Sequence, residues 1–60
     1  MKDMKDADVM MLHVVFMDLG VSKATLKGAD GAPDYEYIRI SDYEFQYGMV
    51  GNILTNYEVD

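Results

Sequence analysis

The sequence predicts a small α+β domain: a three-stranded antiparallel sheet with one α-helix, in the order β-β-α-β, forming a homodimer. Three observations predict it. Residues 9–17 are an apolar, β-branched run. Residues 35–40 and 55–59 alternate with the period of two of half-buried strands. Between them, Ser41-Asp42-Tyr43-Glu44 has the spacing of a helix capping box.

Residues 1–8 read as a polar tail that frays. In residues 9–17 only His13 interrupts the apolar run. Met and Leu would suit a helix there, but the short length and Val9, Val14, Val15 and Phe16 favour a central strand buried on both faces. Residues 18–34 form a long inter-strand connection, punctuated by Gly20, Gly28, Gly31 and Pro33. Its length implies structure of its own, with a short edge strand over residues 24–27. In the second strand, residues 35–40, Tyr35, Tyr37 and Arg39 share one face while Glu36, Ile38 and Ile40 share the other.

A helix over residues 42–53 follows. Ser41 caps its first turn, Glu44 reaches back, and Ile40 and Phe45 occupy the staple positions. Asp42 and Glu44 favour the positive end of its dipole. At helical spacing Phe45, Met49 and Ile53 form one apolar stripe, and Tyr43, Tyr47, Val50 and Leu54 a second. Two stripes imply two neighbours, the sheet and a second copy of the chain. Residues 55–59 complete the sheet.

Sixty residues bound the answer to one domain. A chain of that size buries only about 60% of the surface it exposes when unfolded. There is no Cys, so neither a disulfide framework nor a Cys-based zinc site can staple it. Self-association is the remaining remedy. No apolar run reaches the roughly 18 residues of a membrane span. The Lys-bearing start is interrupted by acids, unlike a secretory leader. These features predict a cytoplasmic chain with no membrane partner.

Catalytic chemistry is missing from the sequence. One His and no Cys offer no nucleophile–base pair, so the chain is read as a non-enzyme with no cofactor and no metal. His13 reads as a partly buried, hydrogen-bonded side chain. Asp3, Asp6 and Asp8 lack the spacing of a calcium loop. Gly28-Ala29-Asp30-Gly31 lacks the Gly-Lys-Ser/Thr ending of a phosphate loop.

Charge is more informative. Eleven acids against five bases give a net charge of −6, which argues against nucleic acid as a ligand. From Pro33 onward six acids face Arg39 alone, a balance of −5. They interleave with Tyr35, Tyr37, Tyr43 and Tyr47. An acidic, aromatic surface of this kind is complementary to a basic groove, such as one that binds DNA.

Tyr35-Glu36-Tyr37, followed by Ser41-Asp42-Tyr43-Glu44-x-x-Tyr47-Gly48, resembles the small homodimeric uracil-DNA glycosylase inhibitors of tailed Bacillus phages. That family reads Tyr-Glu-Tyr on a strand, then Ser-Asp-Phe-Glu-x-x-Tyr-Gly at a helix start. Asp8-Val9-x-Met11-Leu12 is similar to its first strand. Tyr43 stands where the family has Phe, and the connection between the first two strands is longer here. The resemblance implies a dimeric β-β-α-β protein that mimics DNA and blocks uracil-DNA glycosylase in the infected bacterium. It implies that Glu36 and Glu44 stand in for phosphates and that Tyr43 and Tyr47 are aromatic partner contacts. An apolar pocket, with Met49, Val50 and Leu54 as candidate lining or dimer-interface residues, would take the leucine that the enzyme inserts into DNA. The acid pattern alone also suits a mimic aimed at another DNA-binding protein, and the Met-rich run suits a non-catalytic phage assembly module.

Overall fold

The structure, a computed structural model, describes residues 4–59. An N-terminal helix, α1 (Met4–Asp18), precedes four strands: β1 (Lys23–Leu26), β2 (Tyr35–Ser41), β3 (Glu44–Met49) and β4 (Thr55–Glu58). The strands form one antiparallel meander in the order β1-β2-β3-β4. The class is α+β, as the sequence predicts, but the order is α-β-β-β-β and the sheet has four strands.

Two elements exchange identity relative to expectation. The run over residues 9–17 lies in α1, not in a central strand. Val9, His13 and Phe16 fall at i, i+4 and i+7, so one helical face meets the sheet. Val9 and His13 are buried, and Phe16 packs on the same cluster. The helix stops at Gly20, whose φ of 74° suits a residue without Cβ. The Val21 amide donates to the Phe16 carbonyl at 2.8 Å and the Gly20 amide to Met17 at 3.0 Å. That pair of bonds is a Schellman cap. The tail expected over residues 1–8 is helical from Met4 onward, and residues 1–3 lie outside the described residues.

The helix expected over residues 42–53 is instead β3 and its flanking turns. Glu44-Phe45-Gln46-Tyr47-Gly48-Met49 alternates polar or small with apolar, the period of a strand. Ser41 does not cap a helix. Its hydroxyl oxygen accepts the Tyr43 amide at 3.2 Å inside the β2–β3 hairpin, a local side-chain turn that competes with capping. Neither Asp42 nor Tyr43 takes a positive φ, so the hairpin is not of the primed type. A bulge between Arg39 and Ser41 accompanies it.

The edge strand expected at residues 24–27 is β1, within the predicted 18–34 connection, and the strands expected at 35–40 and 55–59 are β2 and β4. A turn with Gly31 at φ 76° precedes β2, closed by Ala32 donating to Ala29 at 2.8 Å. Asp34 anchors this segment by accepting the Gly28 amide at 2.9 Å. A Cβ on Gly28 would run into the carbonyl oxygens of Ala32 and Pro33.

The core sits between α1 and one sheet face. Tyr37 and Phe45 are fully enclosed there, with Val9 and His13 above them. Phe45 is stacked between His13, at 4.3 Å, and Tyr57, at 5.1 Å. His13 is held at both nitrogens. Its Nε2–H donates to the Asp42 carbonyl at 2.9 Å, and in the neutral imidazole Nδ1 then accepts the Tyr37 hydroxyl at 2.7 Å. The imidazole thus ties α1 to the β2–β3 turn. Among the described residues no buried side-chain polar atom lacks a partner.

Candidate functional site

The sheet has two unlike faces, fixed by the register. Residues directly opposite share a face. Leu26, Tyr35, Tyr37, Phe45, Tyr47 and Tyr57 lie on the α1 side. The other side carries Glu36, Ile38, Glu44, Gln46, Asn56 and Glu58, and among the described residues no helix covers it.

This register decides the fate of the expected partner-binding residues. Glu36, opposite Gly48, and Glu44, opposite Glu58, come to the same open face. Gln46 donates to Asn56 across that face at 2.8 Å. Among the described residues no cation lies within ion-pair distance of Glu36 or Glu44. Glu44 starts a strand, so its carboxylate has no capping duty. Tyr43 projects from the hairpin tip and is 70% exposed.

Tyr47 parts from this group. On a helix Tyr43, Glu44 and Tyr47 would be neighbours; on a strand Glu44 and Tyr47 point to opposite faces. Tyr47 is half-buried on the α1 side, with its ring stacked on Tyr35 at 5.4 Å. Burial pushes its phenol pKa up, and the neighbouring phenols of Tyr35 and Tyr57 push it the same way.

Tyr47 instead helps to line a cleft of about 340 Å³ at one end of the α1 side. Val9, Tyr35, Met49, Ile53 and Tyr57 contribute apolar surface, and Ile53 stands 98% exposed at the rim. Of the three residues expected to form an apolar pocket or dimer interface, Met49 lines this cleft. Val50 sits in the turn beyond β3, exposed. Leu54 lies across Gly48, with its Cδ2 at 3.2 Å from where a Gly48 Cβ would be. The helical stripe that was to join Tyr43, Tyr47, Val50 and Leu54 does not form. Gly48 borders both features, since it lines the cleft and pairs with Glu36.

Sequence reasoning missed Tyr35, Ile53 and Tyr57 as cleft residues. The alternation of residues 44–49 was the available signal, because it puts Phe45, Tyr47 and Met49 on the face already holding Tyr35 and Tyr37. Chemically, the site offers carboxylates on one sheet face and a small aromatic-walled cleft at one end of the opposite face. Among the described residues no three His, Cys, Asp or Glu side chains converge to hold a metal ion, and no helix is long and apolar enough to cross a membrane. No protein-family model, curated protein or solved structure matches this chain.

Proposed function

We propose that this chain is a non-catalytic inhibitor that imitates DNA, with uracil-DNA glycosylase as its target. The observation that carries the reading is the meeting of Glu36 and Glu44 on one uncovered sheet face. Carboxylates that make no ion pair among the described residues present the negative charge that a DNA-binding groove is built to receive. The net charge of −6 steers the chain toward such a groove. Tyr43, at the hairpin tip beside Glu44, adds an exposed aromatic contact.

The target is suggested by the family resemblance of Tyr35-Glu36-Tyr37 and Ser41 to Gly48. Its residues lie on a β-hairpin here rather than at a helix start, and what supports the reading is Glu36 and Glu44 on the open face with Tyr43 exposed at the hairpin tip. Glycosylases flip the damaged base out of the duplex, and the resembling family's target fills the stack with a leucine. The cleft walled by Tyr35, Tyr47 and Met49 offers such an apolar side chain a site. Occupying the groove blocks DNA without any bond being made or broken.

A stoichiometric assay on a uracil-containing oligonucleotide tests this. Bacterial glycosylase activity should fall in proportion to added chain and vanish near equivalence. Full activity at several-fold excess would rule the target out. A pull-down that returns a different DNA-binding protein would keep the mimicry and change its object.

A further inference from the structure

We propose that the tyrosine-walled cleft on the α1 side of the sheet is a binding site for a small organic cation, a free methylated ammonium of the choline type. The inference goes beyond the inhibitor reading and does not rest on it. Three phenol rings carry it. Tyr35, Tyr47 and Tyr57 come from the adjacent strands β2, β3 and β4, and all three line this one cleft. Both Tyr35 and Tyr57 help to hold Tyr47 protonated, so the three phenols lie within electrostatic reach of one another. Ring contacts set their planes. Tyr57 stacks on Phe45 at 5.1 Å with 9° between the rings, and Tyr35 on Tyr47 at 5.4 Å with 23°. Walls held in place before binding lower the ordering cost of taking up a ligand.

Charge selects a cation. The face of an aromatic ring is the negative part of its quadrupole and attracts a cation within about 6 Å of the ring centre. Among the described residues no charged side chain lines the cleft, so nothing there would neutralise an anion. The net charge of −6 draws cations toward the chain and repels anions. Apolar contact alone would admit a hydrocarbon side chain as well. The ring faces and the net charge add an attraction that only a cation feels.

The lack of a carboxylate in the walls selects the kind of cation. A primary ammonium brings three N–H donors that need acceptors once it leaves water. A quaternary ammonium has no N–H to satisfy and carries its charge beneath methyl groups. Met49 and Ile53 offer those methyls apolar contact. Asn52 and Thr55, both exposed, offer hydrogen bonds to a hydroxyl at the other end of the ligand. A volume of about 340 Å³ is at the small end for ligand sites, which suits a head group with a short tail. In a choline lipid a phosphate sits beside the ammonium, and the negative chain disfavours it, so the ligand is a free solute.

Titrating the labelled chain alone with choline, followed by NMR, tests this with no glycosylase present. Saturable shifts should appear at Tyr35, Tyr47, Met49 and Thr55, with a dissociation constant near millimolar. The choline methyl protons should move upfield under the rings they face. The tert-butyl analogue of choline, with carbon in place of nitrogen, has the same shape without the charge and should bind about tenfold more weakly. Ethanolamine, with N–H groups in place of methyls, should also bind more weakly. Tyr47→Leu should remove the site and Tyr47→Phe should keep it, because the ring and not its hydroxyl holds the cation. Tyr35→Leu repeats the loss at a second wall and covers the case in which Tyr47→Leu does not fold. Phosphatidylcholine vesicles should not sediment the chain. Equal binding of the tert-butyl analogue, shifts that fall outside the cleft, no saturable shift with choline, or sedimentation with vesicles in place of choline binding would overturn the proposal.

Discussion

His13 shows how much one side chain can organise in a core this small. It fills space beside Phe45, satisfies the Asp42 carbonyl and accepts the Tyr37 hydroxyl. Replacing it by Phe keeps the stacking and removes both hydrogen bonds. Leaving the buried Tyr37 hydroxyl unpaired costs about 1–3 kcal/mol, and losing the part-buried bond to the Asp42 carbonyl about 1 kcal/mol more, so His13→Phe should destabilise the fold by about 2–4 kcal/mol in urea unfolding. Tyr37→Phe removes one bond and should cost about 1 kcal/mol. Equal losses for the two variants would mean that the Asp42 bond contributes nothing. The sequence identified this histidine as buried and bonded, because a lone polar residue in an apolar run must find partners. It did not identify the partners, which lie 24 and 29 residues away.

At the scale of elements, the glycines set the limits of helix and connection. Gly20→Ala puts a Cβ into open space but keeps a φ of 74°, so it should cost about 1 kcal/mol. Gly28→Ala drives a Cβ into two carbonyl oxygens, so the loss should be larger, about 2 kcal/mol or more. Thermal unfolding of the two variants checks the order. What the sequence concealed was the identity of two elements. In α1 the outer face also carries Met11, Val14 and Val15, so the helical period of Val9, His13 and Phe16 is hidden and β-branching points the wrong way. At residues 41–44 the capping-box pattern also satisfies a hairpin turn, since the Ser41 hydroxyl can accept an amide in either setting. Gly48 and Gly51 inside the expected helix, and the strict alternation of residues 44–49, were the contrary signals. The strands β2 and β4 were legible because only one period fits them. Glu36 and Glu44 share one face of the sheet, but Tyr47 joins them only under the helical period.

At the scale of the whole molecule, stability and binding follow from ionisable groups. The Gly28 amide holds the Asp34 carboxyl below its usual 3.8, with Lys27 adding to the effect. Its folded pKa is lowered, so its contribution is present above the unfolded value and disappears as pH falls through the folded one. The urea midpoint should therefore drop below about pH 4, and Asp34→Ala should flatten that drop. Tyr37 and Tyr47 are raised by burial, so they stabilise below the unfolded phenol value and that stability is lost as pH rises above about 10. An alkaline unfolding transition with the absorbance change of tyrosinate should follow, and Tyr47→Phe should move it upward.

Target binding should weaken with salt, as charge complementarity requires, and Glu36→Gln with Glu44→Gln should weaken it about tenfold or more while leaving unfolding unchanged. The most direct test is amide chemical-shift mapping of labelled chain titrated with uracil-DNA glycosylase. Perturbations should concentrate on Glu36, Ile38, Tyr43, Glu44 and Gln46 and around the Tyr47–Met49 cleft, and reverse on adding uracil-containing DNA. Perturbations confined to the outer face of α1, or none at saturating enzyme, would contradict it.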